Sequence, residues 1–133
     1  MLDMLLLAAE IALPTDYTLD KRGFWLGCVG IRQDGTKICS QNGAVCSSSI
    51  VENYQLIPES HAEGRALRKM DRGGVLYVAR VKKQDRSLAM SMCCGMCATQ
   101  IKSAGIKKVY YTISNNQYGI WWVKKDYHII HDC

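Results

Sequence analysis

Two short stretches decide how this chain reads: His61-Ala62-Glu63 and, further on, Cys94-Gly95-Met96-Cys97. Zinc is held by neutral imidazole nitrogen and thiolate sulfur, usually in tetrahedral geometry. One histidine and two cysteines supply three donors and leave a fourth position for water, which zinc acidifies toward neutral pH. A carboxylate close to the ion but not bound to it can take up and return the proton. Glu63 stands where that group is needed. The spacing of Cys94 and Cys97 sets both sulfurs on one face of the first turn of a helix, where the helix dipole favours thiolate. His61 and Glu63, two apart, would diverge on a regular helix. The spacing therefore predicts that His61 sits at the very start of its helix, where the backbone still lets both side chains reach one ion.

In this order, the two motifs resemble the signature of the zinc-dependent nucleobase deaminases, whose members include the cytidine and deoxycytidylate deaminases: H-x-E followed by P-C-x-x-C. Cys93 stands where the family has proline. The flanks are similar too, with Ala66-Leu67-Arg68-Lys69 after the first motif and Ile101, Ala104-Gly105-Ile106 after the second. The likeness runs from about residue 25 to about residue 125.

The resemblance implies an α/β fold: a three-layer α/β/α domain with a mixed five-stranded sheet and the two zinc helices side by side on one face. It implies Zn2+ on His61, Cys94 and Cys97. It also implies hydrolytic deamination of a cytosine-containing nucleoside or nucleotide to the uracil product, with release of ammonia. Glu63 would relay a proton to ring nitrogen N3 and then to the departing amine. Family members carry an asparagine that contacts sugar or base near the position of Asn42, so Asn42 is a substrate-binding candidate, with Ala62 as a second. Asn42-Gly43 also reads as a plain turn. Cys93 as a fourth ligand would close the site and make it structural.

The bulk properties fit one domain spanning residues 1–133, with 48% hydrophobic residues for a single core. A net charge of +5 suits an anionic ligand, a nucleotide or a nucleic acid, without demanding either. Seven cysteines is an odd number, and the opening Met1-Leu2-Asp3-Met4 has no basic export region. We read a reducing, cytoplasmic setting with free or metal-bound thiols and no membrane-spanning stretch. Cys39 and Cys46 raise a second, structural zinc; small buried cysteines are the simpler reading.

Along the chain, residues 2–13 read as a helix ended by Pro14, so apolar that it reads as partly buried and partly packed on another subunit, which implies a homo-oligomer; a membrane-surface helix fits less well, since the segment has no Lys or Arg. Trp25–Arg32 and Thr36–Ser40 read as a hairpin around Asp34-Gly35. Residues 44–58 form a loop against the pocket. A helix over 61–70 carries Ala66, Leu67 and Met70 inward. Val75–Val81 reads as an interior strand, residues 82–90 as a basic connection that either covers the pocket or is a hairpin excursion, and 94–104 as the second zinc helix, stopped by Gly105. Lys107–Ile113 and Tyr118–Val123 are joined by a turn too short for a parallel crossover. That hairpin resembles the cytidine deaminase branch, yet the first ligand is His61, where many cytidine deaminases have cysteine. The branch, and with it the substrate, stays open.

Three features keep rival readings alive. Lys82, Lys83, Arg86, Lys107, Lys108, Lys124 and Lys125, with Tyr110, Tyr111, Trp121 and Trp122, fit a deaminase acting on single-stranded DNA or RNA; equally, the aromatics fill a core and the lysines blunt a sheet edge. The tail pair His128 and His131 could hold a metal or simply pack. A zinc-stabilised, non-catalytic binding protein would show a four-ligand site and no pocket beside Glu63.

Overall fold

The computed structural model describes residues 1–43, 51–52, 55–56 and 61–133. The expected loop around residues 44–58, and with it Cys46 and the second-zinc reading, falls outside the described residues. The exceptions are the short paired strands β3 (Val51–Glu52) and β4 (Gln55–Leu56).

The main sheet is mixed and has seven strands. Strands β1 (Trp25–Ile31) and β2 (Lys37–Gln41) make the expected hairpin. Here Asp34 Oδ1 accepts from the Thr36 amide at 2.9 Å, closing the turn. β1 also pairs antiparallel with β5 (Val75–Val81), and β5 pairs parallel with β7 (Lys108–Ser114). The β5-to-β7 crossover carries the second zinc helix, as a parallel connection requires. The expected hairpin follows: β7 pairs antiparallel with β8 (Gln117–Trp122).

The sheet is larger than the five strands anticipated, for two reasons. The tail is not a loose end: Tyr127–Asp132 forms β9, antiparallel to β8 along its whole length. Its turn uses no glycine. Asp126 takes the positive φ of 50° that closes it, so the usual hairpin signal is missing. The second addition is β6 (Leu88–Ala89), a two-residue strand on Arg80 and Val81 of β5. It sits within the stretch expected to be irregular.

Strand alternation sorts the two faces. Leu26, Cys28, Leu76, Val78, Val109 and Tyr111 form the main core with Ala62 and Ala66 of α2 (Ala62–Leu67) and Ile101 of α3 (Gly95–Ser103). The opposite parity, Val29 and Ala79 with half-buried Tyr77, packs under α1 (Asp3–Ala12) through Ala8. The fold is thus the expected three layers: α1, sheet, and the pair α2 and α3. Helix α1 lies directly on β1. A Cβ on Gly27 would run into the Ala8 carbonyl oxygen and the Ala12 backbone nitrogen. Only a residue without a side chain lets the two backbones come so close. At the far end of α3, Gly105 takes a φ of +72° and stops the helix.

Candidate active site

The first turns of α2 and α3 build the site. His61 is the residue before α2, with extended backbone (φ −76°, ψ 143°), and Glu63 is the second residue inside the helix. The break in periodicity at His61 lets two side chains only two apart converge, as the spacing requires. Cys94 holds the same position ahead of α3, with ψ 168°, and Cys97 lies in the first turn. Both helices start at the site, so their positive ends favour anionic sulfur and carboxylate there.

Three donors meet. The ligand atoms of His61, Cys94 and Cys97 all lie within 4.8 Å of one another. His61 Nδ1 is 3.2 Å from Cys97 Sγ and 3.6 Å from Cys94 Sγ. A tetrahedral zinc with Zn–N of about 2.0 Å and Zn–S of about 2.3 Å would set such donors about 3.5 Å apart. The set therefore fits zinc in composition and spacing. Burial raises the Cys97 thiol well above its ordinary range, and that of Cys93 to about 12. A bound divalent cation reverses that preference, because coordination deprotonates a thiol.

Cys93 does not join the donor group. It packs against the core and lines the adjoining cavity. Among the described residues the donor group thus has three members, the number that an open zinc site uses.

Glu63 is 2% exposed. It lies beside the donors, its Oε2 accepting from Cys97 Sγ at 3.7 Å. Burial pushes its carboxyl up to about 6, which suits a group that must gain and lose a proton near neutrality. The cavity it faces measures about 360 Å³. His61, Glu63, Cys93 and Cys94 form its floor, and Phe24, Arg80, Met90 and Met92 are on its walls. Of the four wall residues, only Met90 lies in a stretch that the sequence placed near the pocket, the 82–90 connection. They come from the approach to β1, the end of β5 and the stretch before α3, and no local spacing links them.

The three remaining candidates have other partners in the structure. The Asn42 side chain is buried and fully used: Oδ1 accepts from Arg22 Nη1 at 3.1 Å and the Leu26 amide at 2.9 Å, and Nδ2 donates to the Phe24 carbonyl at 2.8 Å. It is not on the described cavity wall, but it fixes two residues that are. Ala62 is fully buried in the core, with its carbonyl accepting from Ser40 Oγ at 2.6 Å. The tail histidines cannot share an ion. Three apart on β9, they point to opposite faces. His128 stacks on Trp121 with its Nδ1 3.0 Å from Tyr111 Oη, and His131 stacks on Tyr118.

The sequence pattern of the cytidine and deoxycytidylate deaminase zinc-binding region matches residues 3–113. The chain belongs to this family of zinc-dependent deaminases, and zinc is the ion that both the family and the donor set specify. No curated protein matched the chain. No helix among the described residues is long and apolar enough to cross a membrane.

Proposed function

We propose that this chain deaminates a cytosine-containing nucleotide, of the deoxycytidylate class, to the corresponding uracil nucleotide. The observation that carries the reading is the buried Glu63 beside a His/Cys/Cys donor set, with both opening on one cavity. His61, Cys94 and Cys97 hold the metal. Zinc, when bound, supplies Lewis acidity that makes water a competent nucleophile near neutral pH. Glu63 takes one proton from water, delivers it to ring nitrogen N3 as C4 is attacked, and passes a proton to the amine that leaves as ammonia. Its low exposure keeps competing water away from the carboxylate.

Arg80 favours a nucleotide over a nucleoside. Its guanidinium lies over the Phe24 ring, 5.6 Å from the centroid, on the cavity wall. From there a planar fork of donors suits a phosphate. Phe24, Met90 and Met92 offer apolar contact for the base. Asn42 supports this wall indirectly, through Phe24 and Leu26. Self-association belongs to the same reading: Leu6 of α1 and Ile130 of β9 are 46% and 60% exposed, and light scattering would give the mass in solution.

The test is ammonia release from cytosine, cytidine, dCMP, dCTP and a short oligonucleotide. We expect dCMP to be the best of these. Glu63→Gln should lower turnover by about 10²–10⁴-fold while zinc content stays unchanged. Arg80→Ala should raise KM for the nucleotide by about ten-fold or more and leave cytidine nearly unaffected. Ammonia released by the Glu63→Gln protein at the parental rate would end the proposal.

A further inference from the structure

We infer that the molecule carries a docking site for single-stranded nucleic acid at the end of the sheet opposite the deaminase cavity. A groove of about 710 Å³ lies there, lined by Arg72, Lys102, Lys107, Lys124, Lys125 and Trp122. These residues come from three separate places: the turn before β5, the end of α3, and the β8–β9 turn. The site is remote from the zinc donors. Cys94 precedes α3 and Lys102 is near its far end, about 12 Å along the axis at 1.5 Å per residue.

Charge is the first argument. All five cationic side chains are exposed, and no carboxylate is among the described residues of the lining. The neighbouring acid, Asp126, is already committed. Its Oδ1 accepts from Trp121 Nε1 at 2.9 Å, and its Oδ2 is 3.9 Å from Lys102 Nζ. Four like charges beside the Lys102–Asp126 pair repel one another, and a chain of phosphates relieves that repulsion while releasing counterions.

The aromatic surface beside the groove is the second, independent argument. It tells single strands from other polyanions. Trp122 is half-buried and shares the groove with the cations. Lys108 Nζ lies 4.8 Å from the Trp122 ring and 4.9 Å from the Tyr110 ring. Tyr110 in turn stacks on Tyr77, with centroids 4.5 Å apart and planes at 12°. A partly open row of rings thus leaves the groove across strands β8, β7 and β5. Bases free of a duplex can stack on such rings while their phosphates stay with the lysines. By contrast Tyr111 and Trp121, also candidates from sequence, are buried in the core.

The site is not a substrate subsite, so the inference does not depend on which base the enzyme deaminates. The test is fluorescence anisotropy of the zinc-loaded protein with a labelled single strand of about a dozen nucleotides, within the span such sites cover. It is repeated across salt concentrations and with a duplex and inorganic polyphosphate as competitors. We expect Lys124→Glu with Lys125→Glu to weaken binding at least about ten-fold and to make the salt dependence shallower by about 1.4, two phosphates at about 0.7 each. Trp122→Leu should weaken binding to the single strand by about ten-fold and leave polyphosphate binding unchanged. Arg80→Ala, in the deaminase cavity, should leave strand binding unchanged. Zinc content and melting temperature show that each variant is folded. No binding by the parent protein at low salt would overturn the inference. So would undiminished binding by the lysine pair variant, or a loss in Arg80→Ala as large as that in the groove. Duplex or polyphosphate binding as tightly as the single strand, with Trp122→Leu without effect, would reduce the groove to a general polyanion surface and also overturn it.

Discussion

Asp20 lies far in sequence from either zinc motif, yet it helps set where the cavity wall stands. It accepts from Arg22 Nε at 2.7 Å and from Trp25 Nε1 at 2.8 Å, and Arg22 goes on to Asn42, which holds Phe24. Desolvation works against the Asp20 carboxylate, but the hydrogen bonds from Arg22 and Trp25 outweigh it, and its pKa is lowered. A carboxylate with a folded pKa below its unfolded value stabilises above about pH 4 and loses that contribution as pH falls through the folded value. Asp20→Asn should therefore destabilise by about 1–3 kcal/mol at neutral pH. Urea titration should find the gap from the parent closing below about pH 4. Cys93 makes a contrasting case. It packs beside the donor group without joining it, so Cys93→Ser should keep one zinc per chain at unchanged affinity in a chelator competition. A large loss would mean that Cys93 is a fourth ligand.

At the scale of elements, two contacts hold the layers in place. One is Gly27 under α1. Gly27→Val would force the helix off the sheet, at a cost of about 1–3 kcal/mol or more for overpacking. Calorimetry should register this as a melting temperature several degrees lower. The other is a polar latch where β5 and β7 part. Thr112 donates its amide to Ser91 Oγ at 2.8 Å, and Ser91 Oγ donates to the Val78 carbonyl at 2.9 Å. Thr112 Oγ1 donates to the Ala89 carbonyl at 2.8 Å. The latch fills the gap between diverging strands and directs the chain from β6 over the cavity toward Cys94. Ser91→Ala would leave the buried Thr112 amide without its partner, at about 1–3 kcal/mol. Because Met90 and Met92 flank Ser91 on the cavity wall, substrate KM should rise as well. A stability loss with unchanged kinetics would show that the latch serves the fold alone.

For the whole molecule, the length of α3 separates two chemistries. The zinc donors gather where α2 and α3 begin, and the cationic groove lies where α3 ends. The donors also join the two helices, which pack together in the main core. Zinc binds the folded donor set far better than the unfolded chain, so it stabilises by mass action, about 4 kcal/mol at a thousand times Kd. Stripping it with a chelator should lower the melting temperature by roughly 10 °C or more, and added zinc should restore it. Lys124→Glu with Lys125→Glu should not alter that response, since those lysines lie on a turn away from the donors.

The sequence by itself determined the zinc motifs, the helices that present them, the layered fold and the β7–β8 hairpin. The motifs, their helices and that hairpin follow from spacing within one turn of helix, strand alternation or the length of one connection, so neighbours along the chain carry the information; the layered fold is what the resemblance of the paired motifs implies. Only the tertiary structure decided which residues wall the cavity, that Asn42 braces the wall instead of lining it, and that the tail closes the sheet as β9. It also sorted the aromatics, taking Tyr111 and Trp121 into the core and leaving Tyr110 and Trp122 beside the lysines. Phe24, Arg80 and Met92 meet because strand order brings distant segments together. Which face of the sheet a side chain occupies depends on register with a partner strand, and that register is set by the packing of the whole sheet.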